Sequence, residues 1–200
     1  MQNLIPKQAG QTRSQRPQIE AQFEGSGLDV RAVAIRVATT DDKEKLRRLF
    51  SRLSSQSIYR RFHLPHPRVP EQMLNIMLDV DHYDKESLLA VAEEEIIAHA
   101  MYVRLGASSD AEVAFVVEDR WQSKGVGKLL LSQIAEKARL RGVETFTGVV
   151  LGENRRVLGL LNAVFADVEY VIRDELYHFR VPLQRLKVAA DPLQILRRAA

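Results

Sequence analysis

The chain contains no cysteine among its 200 residues. This absence excludes disulfides, cysteine–zinc sites and thiolate nucleophiles, so any acyl transfer has to proceed without a cysteine-bound intermediate. Long apolar runs are also missing, because no stretch approaches the roughly 20 residues of a membrane-spanning helix. The N-terminal residues turn polar too early for a secretory signal. These absences predict a cytoplasmic protein with no membrane segment.

Aromatic residues make up only 6% of the chain, and they do not alternate with the basic residues. A surface that binds nucleic acid combines the two, so we expect no nucleic-acid partner. The five histidines are scattered without acidic ligands at helical spacing, so we also expect no metal site. The chain does have 46% hydrophobic and 28% charged residues, a balance typical of one globular domain.

The composition divides the chain into three parts. Residues 1–28 are polar with few large apolar side chains, which predicts a disordered N-terminal arm. Residues 29–182 carry the apolar patterns of a single domain. Residues 183–200 are basic with spaced leucines, and this tail is either a frayed end or a docking helix.

Hydrophobic periodicity predicts the order of strands and helices in the domain. We expect a first strand at 33–37, three short helices, the last of which carries Met73 to Met77, and a hairpin of strands at 87–92 and 96–105. A strand at 110–117, a helix at 126–141, a strand at 145–151 and a helix at 153–164 follow, and two strands at 168–173 and 176–181 close the domain. Antiparallel strands followed by alternating helices and strands predict an α/β (α+β) fold, in which helices flank a mixed central sheet.

A glycine-containing turn between the strand at 110–117 and the helix at 126–141 is the sharpest local signal. Glycines let backbone N–H groups approach an anion, and the helix N-terminus adds its dipole, so the turn predicts a phosphate-binding loop. Leu129 stands where a nucleotide-hydrolysing loop has Ser or Thr, and Leu130 replaces the third glycine of a dinucleotide motif. An ordinary glycine turn is the alternative. The turn consists of Gln122, Ser123, Lys124, Gly125, Val126, Gly127 and Lys128.

This turn and residues 112–127 around it resemble the Gln/Arg-x-x-Gly-x-Gly/Ala segment of the GNAT N-acetyltransferase superfamily. The resemblance implies that the loop holds the pyrophosphate of acetyl-CoA, and that the strand ending at Val116 and Val117 splays from its neighbour to bind the pantetheine arm. It also implies that Asn154 contacts the cofactor, although a helix-capping role fits this residue equally well. The family's usual tyrosine acid is replaced by Leu161, so we assign no general acid.

The segment Leu53–Phe62 is similar to Leu-Ser-x-x-Ser-x-Tyr-x-Arg-Phe in bacterial Pat-type protein lysine acetyltransferases. This similarity implies a protein lysine as the acceptor, with acyl-CoA synthetases as the family's known targets. A plain amphipathic helix, with Ile58 and Phe62 packed and Arg60 and Arg61 exposed, explains the same positions. A small-molecule amine acceptor and a non-catalytic acyl-CoA-binding regulatory domain are the alternatives.

Glu112 is the candidate catalytic base. Because side chains alternate along a strand, Glu112 shares a face with Ala114 and Val116, and desolvation there would strengthen it as a proton acceptor. The GNAT resemblance points to the same position. A strand glutamate facing water is the alternative interpretation.

We expect Glu118 and Asp119 to lie in an exposed turn. Without cysteine, direct attack by the amine in a ternary complex is the simplest mechanism.

Overall fold

The computed structural model describes residues 19–21, 33–63 and 69–187, and eight strands in this part form one sheet. The sheet order is β1-β2-β3-β4-β5-β6-β8-β7. All neighbours are antiparallel except β5 and β6, which are parallel. The strands are β1 (Ile19–Ala21), β2 (Val33–Val37), β3 (Lys85–Ala92), β4 (Glu95–Arg104), β5 (Asp110–Val117), β6 (Thr145–Leu151), β7 (Glu169–Arg173) and β8 (Leu176–Pro182).

Helices cover both faces of the sheet. The described helices are α1 (Lys43–Arg52), α2 (Ser55–Phe62), α3 (Glu71–Leu78), α4 (Val126–Leu140) and α5 (Arg155–Val164). One face packs against α4 and α5, and the other packs against α1, α2 and α3. The mixed sheet with flanking helices confirms the predicted fold class.

The helix α4 shows how local sequence produces an element and its packing. Its apolar residues recur at helical spacing, so one stripe, including Leu130 and Ile134, is completely buried against the sheet. Burying each such side chain stabilises the fold by about 1.5–3 kcal/mol. Glycines in left-handed conformation bound the helix, Gly125 at φ +86° and Gly142 at φ +78°.

The parallel strands β5 and β6 separate soon after they meet. Their pairing covers only Asp110–Glu112 against Thr145–Thr147, although both strands continue beyond it. The splayed strands implied by the family resemblance are therefore present. The gap lies beside the turn that leads into α4, and it positions the candidate site.

The chain ends differ in part from the sequence-based expectation. Residues 19–21 lie within the predicted disordered arm, yet they pair as a strand with β2, whose outer edge offers free backbone groups. Leu183 lies in the predicted tail, yet it is completely buried and starts a short 3-10 turn. The rest of the arm up to residue 18, residues 22–28 and residues 188–200 lie outside the described residues.

None of the helices in the described ranges is both long and apolar enough to cross a membrane.

Candidate active site

A cavity of about 770 Å³ occupies the gap between β5 and β6 and extends between β5, α2 and α3. Nine of the eleven site residues expected from the sequence line it, namely Glu112, Val116, Val117, Gln122, Ser123, Gly125, Gly127, Lys128 and Asn154. The side chain of Val126 is instead packed in the core, and Lys124 lies over the ring of Trp121 with its Nζ 6.0 Å from the centroid. The tertiary structure thus brings most of the predicted residues to one cavity.

The backbone of the turn before α4 is shaped to accept an anion. Gly125 at φ +86° and Ser123 at φ +60° bend the chain so that it enters the helix at the cavity wall. A Cβ on Gly127 would lie 3.2 Å from Leu160 Cδ2, so glycine permits close packing there. The first N–H groups of a helix lack intrahelical acceptors and carry partial positive charge. They are suited to bind a phosphate in the cavity.

The hydrogen bonds at the two ends of β5 show which backbone groups face the gap. Asp110 O accepts from Leu105 N, and Glu118 N donates to Ile97 O, so even-numbered residues pair with β4. Phe115 and Val117 therefore direct their N–H and C=O groups towards the gap. The backbone of Val116 bonds to β4 instead, and its side chain packs against the helices α1 to α3.

Gln122 is held by hydrogen bonds within the protein. Its Nε2 donates to Val117 O (3.0 Å) and to Ser57 Oγ (3.2 Å), and its Oε1 accepts from Arg156 (3.0 Å). Both amide N–H bonds are thus used, so the side chain braces the turn against β5, α2 and α5. Only its backbone and the remaining lone pair on Oε1 are free for a ligand.

Asp119 continues this network into α2. Its carboxylate accepts from Ser54 N (2.9 Å), Ser54 Oγ (2.7 Å) and Ser57 Oγ (2.8 Å). Burial raises the pKa of the Asp119 carboxyl, but the hydrogen bonds from Ser54 and Ser57 outweigh this effect and hold the pKa below its ordinary value. Sequence reasoning expected an exposed turn residue and missed this role. The Ser-x-x-Ser spacing at the start of α2 was the available signal, because it places both hydroxyls on one side.

Glu112 on β5 was expected to be desolvated and Glu118 at its end to be exposed, and the structure shows the reverse. Glu112 lines the cavity, but its side chain is exposed and lacks the predicted desolvation. Glu118, expected in an exposed turn, is only 4% exposed and pairs with Arg52 (3.0 Å) and Arg120 (2.6 Å). The difference arises because α1 covers the end of β5, while the cavity opens over Glu112.

Asn154 lies at the start of α5 and Leu161 lies within it, and of these two residues Asn154 alone borders the cavity. Asn154 caps the helix, since its side chain accepts a hydrogen bond from Val157 N (3.4 Å), and it also borders the cavity. Leu161 is completely buried in the core, so its position cannot supply a proton to the cavity. The hydroxyl of Tyr170 accepts a hydrogen bond from Asn162, and Tyr170 is not among the described residues that line the cavity.

The α2–α3 side of the cavity combines apolar walls with two arginines of α2, Arg60 and Arg61. Met73, Met77 and Met101 line it, and Arg61 on α2 faces the same space as Glu112. Burial lowers the pKa of the Arg61 guanidinium to about 10, and the attraction of Glu112 opposes this shift. Sequence reasoning placed Arg61 on an exposed helix face. The residue was missed because helical spacing does not show which strands the helix covers.

A model of the acetyltransferase (GNAT) family matches residues 45–164, which include α1, the hairpin, β5, the glycine turn and α5. The chain belongs to the GNAT acetyltransferase family. This membership confirms the predicted family, so the chain contains a GNAT acetyltransferase domain. The family resemblance implied a cofactor site at the splayed strands and the glycine turn. In this GNAT domain, β5, β6 and the turn before α4 surround the cavity.

The chain is similar to a named bacterial acetyltransferase and to a solved GNAT domain. The domain is 34% identical over 119 residues to acetyltransferase Pat of Mycolicibacterium smegmatis, a match covering 56% of this chain and 35% of that protein. The chain thus spans about a third of that relative's length. Among solved structures, it is similar to the GNAT domain of S. lividans PAT, with a TM-score of 0.73 and 28% identity over 83% of this chain and 96% of that one.

A more distant structure shows the same fold. YncA from Salmonella typhimurium, described as a putative acetyltransferase with its cofactor acetyl-CoA, has a TM-score of 0.61 at 15% identity and covers 76% of this chain and 94% of that one. This likeness concerns the fold alone.

Proposed function

We propose that this GNAT domain transfers the acetyl group of acetyl-CoA to the side-chain amine of a protein lysine, by direct attack in a ternary complex. The observation that carries the proposal is the one cavity that joins the N-terminus of α4, the edge of β5 that β6 leaves uncovered, and Glu112. Its volume of about 770 Å³ lies within the range of small-molecule sites.

The donor half of the cavity has the groups that acetyl-CoA requires. The N–H groups of Gly125 to Lys128 suit the pyrophosphate, with Gln122 and Ser57 holding the turn in place. The backbone groups of Phe115 and Val117 suit the amides of the pantetheine arm. A backbone N–H aimed at the thioester oxygen would also stabilise the negative charge that develops there.

The chemical step is a displacement at the thioester carbonyl. The acceptor nitrogen attacks the carbonyl carbon, a C–N bond forms and the C–S bond breaks, so CoA leaves as a thiolate. The amine gives its proton to Glu112, through water because this carboxylate is exposed. Since a thiol ionises near pH ~8.5, the thiolate can leave and then take a proton from solvent. The reaction therefore needs no general acid at the position of Leu161.

The α2–α3 side fits the acceptor. Its methionine walls and Ile76 match the aliphatic stem of a lysine, whose amine would then meet Glu112. Tyr59 and Ile76 are exposed to 42% and 55%, and they offer apolar contacts at the surface of α2 and α3 for a protein substrate. The resemblance of the segment Leu53–Phe62 to Pat-type protein lysine acetyltransferases implies the same acceptor class, with an acyl-CoA synthetase as one candidate.

The test is transfer of labelled acetyl from acetyl-CoA into a native lysate separated by size, with Glu112→Gln beside the unmodified domain. Glu93→Gln, in the exposed turn between β3 and β4, is the matched control and should retain activity. We expect labelled protein that disappears with Glu112→Gln. Label confined to small molecules would contradict the lysine assignment. Binding of acetyl-CoA without any transfer would contradict catalysis and favour a non-catalytic acyl-CoA-binding domain.

A further inference from the structure

Arg61 differs from the other described arginines because it is partly buried and also lacks a counter-charge. Among the described residues, it makes no ion pair and no hydrogen bond, and its Nε is buried without a partner. The other described arginines either form ion pairs or are exposed to solvent. Those without an ion pair, all of them exposed, are Arg141, Arg155, Arg156 and Arg173.

An unpaired guanidinium at this position is costly to the folded protein. Arg61 is partly buried, and its Cζ lies 4.9 Å from the ring centroid of Phe62, a contact that offsets only part of the lost hydration. Glu112 attracts it across the cavity without forming an ion pair. Buried polar groups that lack partners in the free protein are often satisfied by a ligand.

The surroundings define the chemistry of that ligand. A planar guanidinium fork matches a carboxylate through two parallel hydrogen bonds. A phosphate carries more negative charge and would be repelled more strongly by Glu112, which shares the cavity. Met73, Met77 and Met101 lie around the same space, and they suit a short aliphatic chain between the carboxylate and the reacting atom.

We propose that Arg61 binds a carboxylate carried by one of the two substrates, so that the cavity favours a substrate with a carboxylate a few bonds from the reacting atom. This inference rests on the proposed acyl transfer. The carboxylate has two possible sources, namely the acyl chain of a dicarboxylic acyl-CoA or the acceptor, beside its amine. Either source would make Arg61 a specificity-determining residue of the site.

The donor source is tested by calorimetric binding of succinyl-CoA and acetyl-CoA to the unmodified domain and to Arg61→Met. If the acyl chain carries the carboxylate, succinyl-CoA binds more tightly than acetyl-CoA. Arg61→Met then weakens succinyl-CoA binding by about ten- to a hundredfold, as for the loss of a charge-assisted hydrogen bond. Acetyl-CoA should change by less than about twofold, since it carries no acyl carboxylate. Arg61→Lys should restore part of the preference, because it keeps the charge without the fork.

The acceptor source is tested by kcat/KM for acetyl transfer to two lysine peptides, with either Glu or Gln before the lysine. If the acceptor carries the carboxylate, the Glu peptide is preferred, and Arg61→Met abolishes this preference. Arg173→Met, on the exposed strand β7, is the control and should change neither assay. Far-UV circular dichroism shows whether the variants fold.

The outcomes separate this inference from the proposed function. A preference in one assay that depends on Arg61 identifies the source of the carboxylate. Acetyl-CoA binding and transfer with no carboxylate preference in either assay would overturn the role of Arg61 alone. No binding of either CoA ester would overturn the proposed function.

Discussion

Acid should unfold this domain partly through one histidine in the middle of the sheet. His99 on β4 is completely buried, its Nε2 is 2.9 Å from Ser87 Oγ, and its Nδ1 has no partner among the described residues. Burial, with a smaller contribution from the positive charge of Arg61, lowers the pKa of His99 from 6.5 to about 3. His99 is not among the described residues that line the cavity.

The size of the effect follows from proton linkage. Between pH 6.5 and about 3 the unfolded chain binds a proton at His99 that the folded domain excludes. The free energy of unfolding therefore falls as the pH is lowered through this window and is unaffected by His99 above it. At about 1.36 kcal/mol per pH unit the full loss is at most about 5 kcal/mol, which is comparable to the total stability of a small domain.

The assay is urea unfolding at a series of pH values from 7 to 3, followed by the fluorescence of Trp121, the one tryptophan of the chain, which is 1% exposed. His99→Gln retains a partner for Ser87 but does not titrate, so its stability should fall less steeply with acid than that of the unmodified domain. Carboxylates contribute equally to both curves. Parallel curves between pH 6.5 and 3, or an NMR titration of His99 near pH 6.5, would refute the reasoning.

Three further variants test the packing around the cavity. Ser57→Ala removes the hydroxyl that braces the glycine turn, so we expect the KM for acetyl-CoA to rise about tenfold while the KM for the amine is unchanged. Ser55→Ala, at an exposed neighbouring residue, should alter neither KM value. Equal changes in both KM values for Ser57→Ala would contradict the bracing role. Gly148→Ala would place a Cβ 2.6 Å from Cζ of Phe179, so chemical denaturation should show a loss of about 1–3 kcal/mol in unfolding free energy. In α5, the Cβ of Gly159→Ala would have no atom within 4 Å, so the free energy of unfolding should rise by about 0.5–1 kcal/mol in the same measurement. A lower free energy of unfolding would show that the helix is more crowded there than the structure indicates.

Local signals in the sequence predicted the elements that depend on nearby residues. The strand at 145–151 and the start of α4 at Val126 match the structure because alternation and glycine turns act within a few residues. Val116 and Val117 were both predicted to bind the cofactor, and both line the cavity, but the pairing of the Val116 backbone with β4 was not foreseen. The alternation of backbone groups depends on register with a partner strand, and the sequence of one strand does not contain that register.

The sequence by itself determined the family, the order of strands and helices, and the glycine turn, because each of these is written in short-range pattern. The tertiary structure alone decided the burial of Glu112 and Glu118, which lie on the same face of β5 and its extension. Arg52 on α1 reaches Glu118, whereas the cavity leaves Glu112 open. It also decided that Arg61 faces the cavity without a counter-charge. These outcomes depend on which distant helix covers each strand, and this is settled only when residues far apart in the chain pack together.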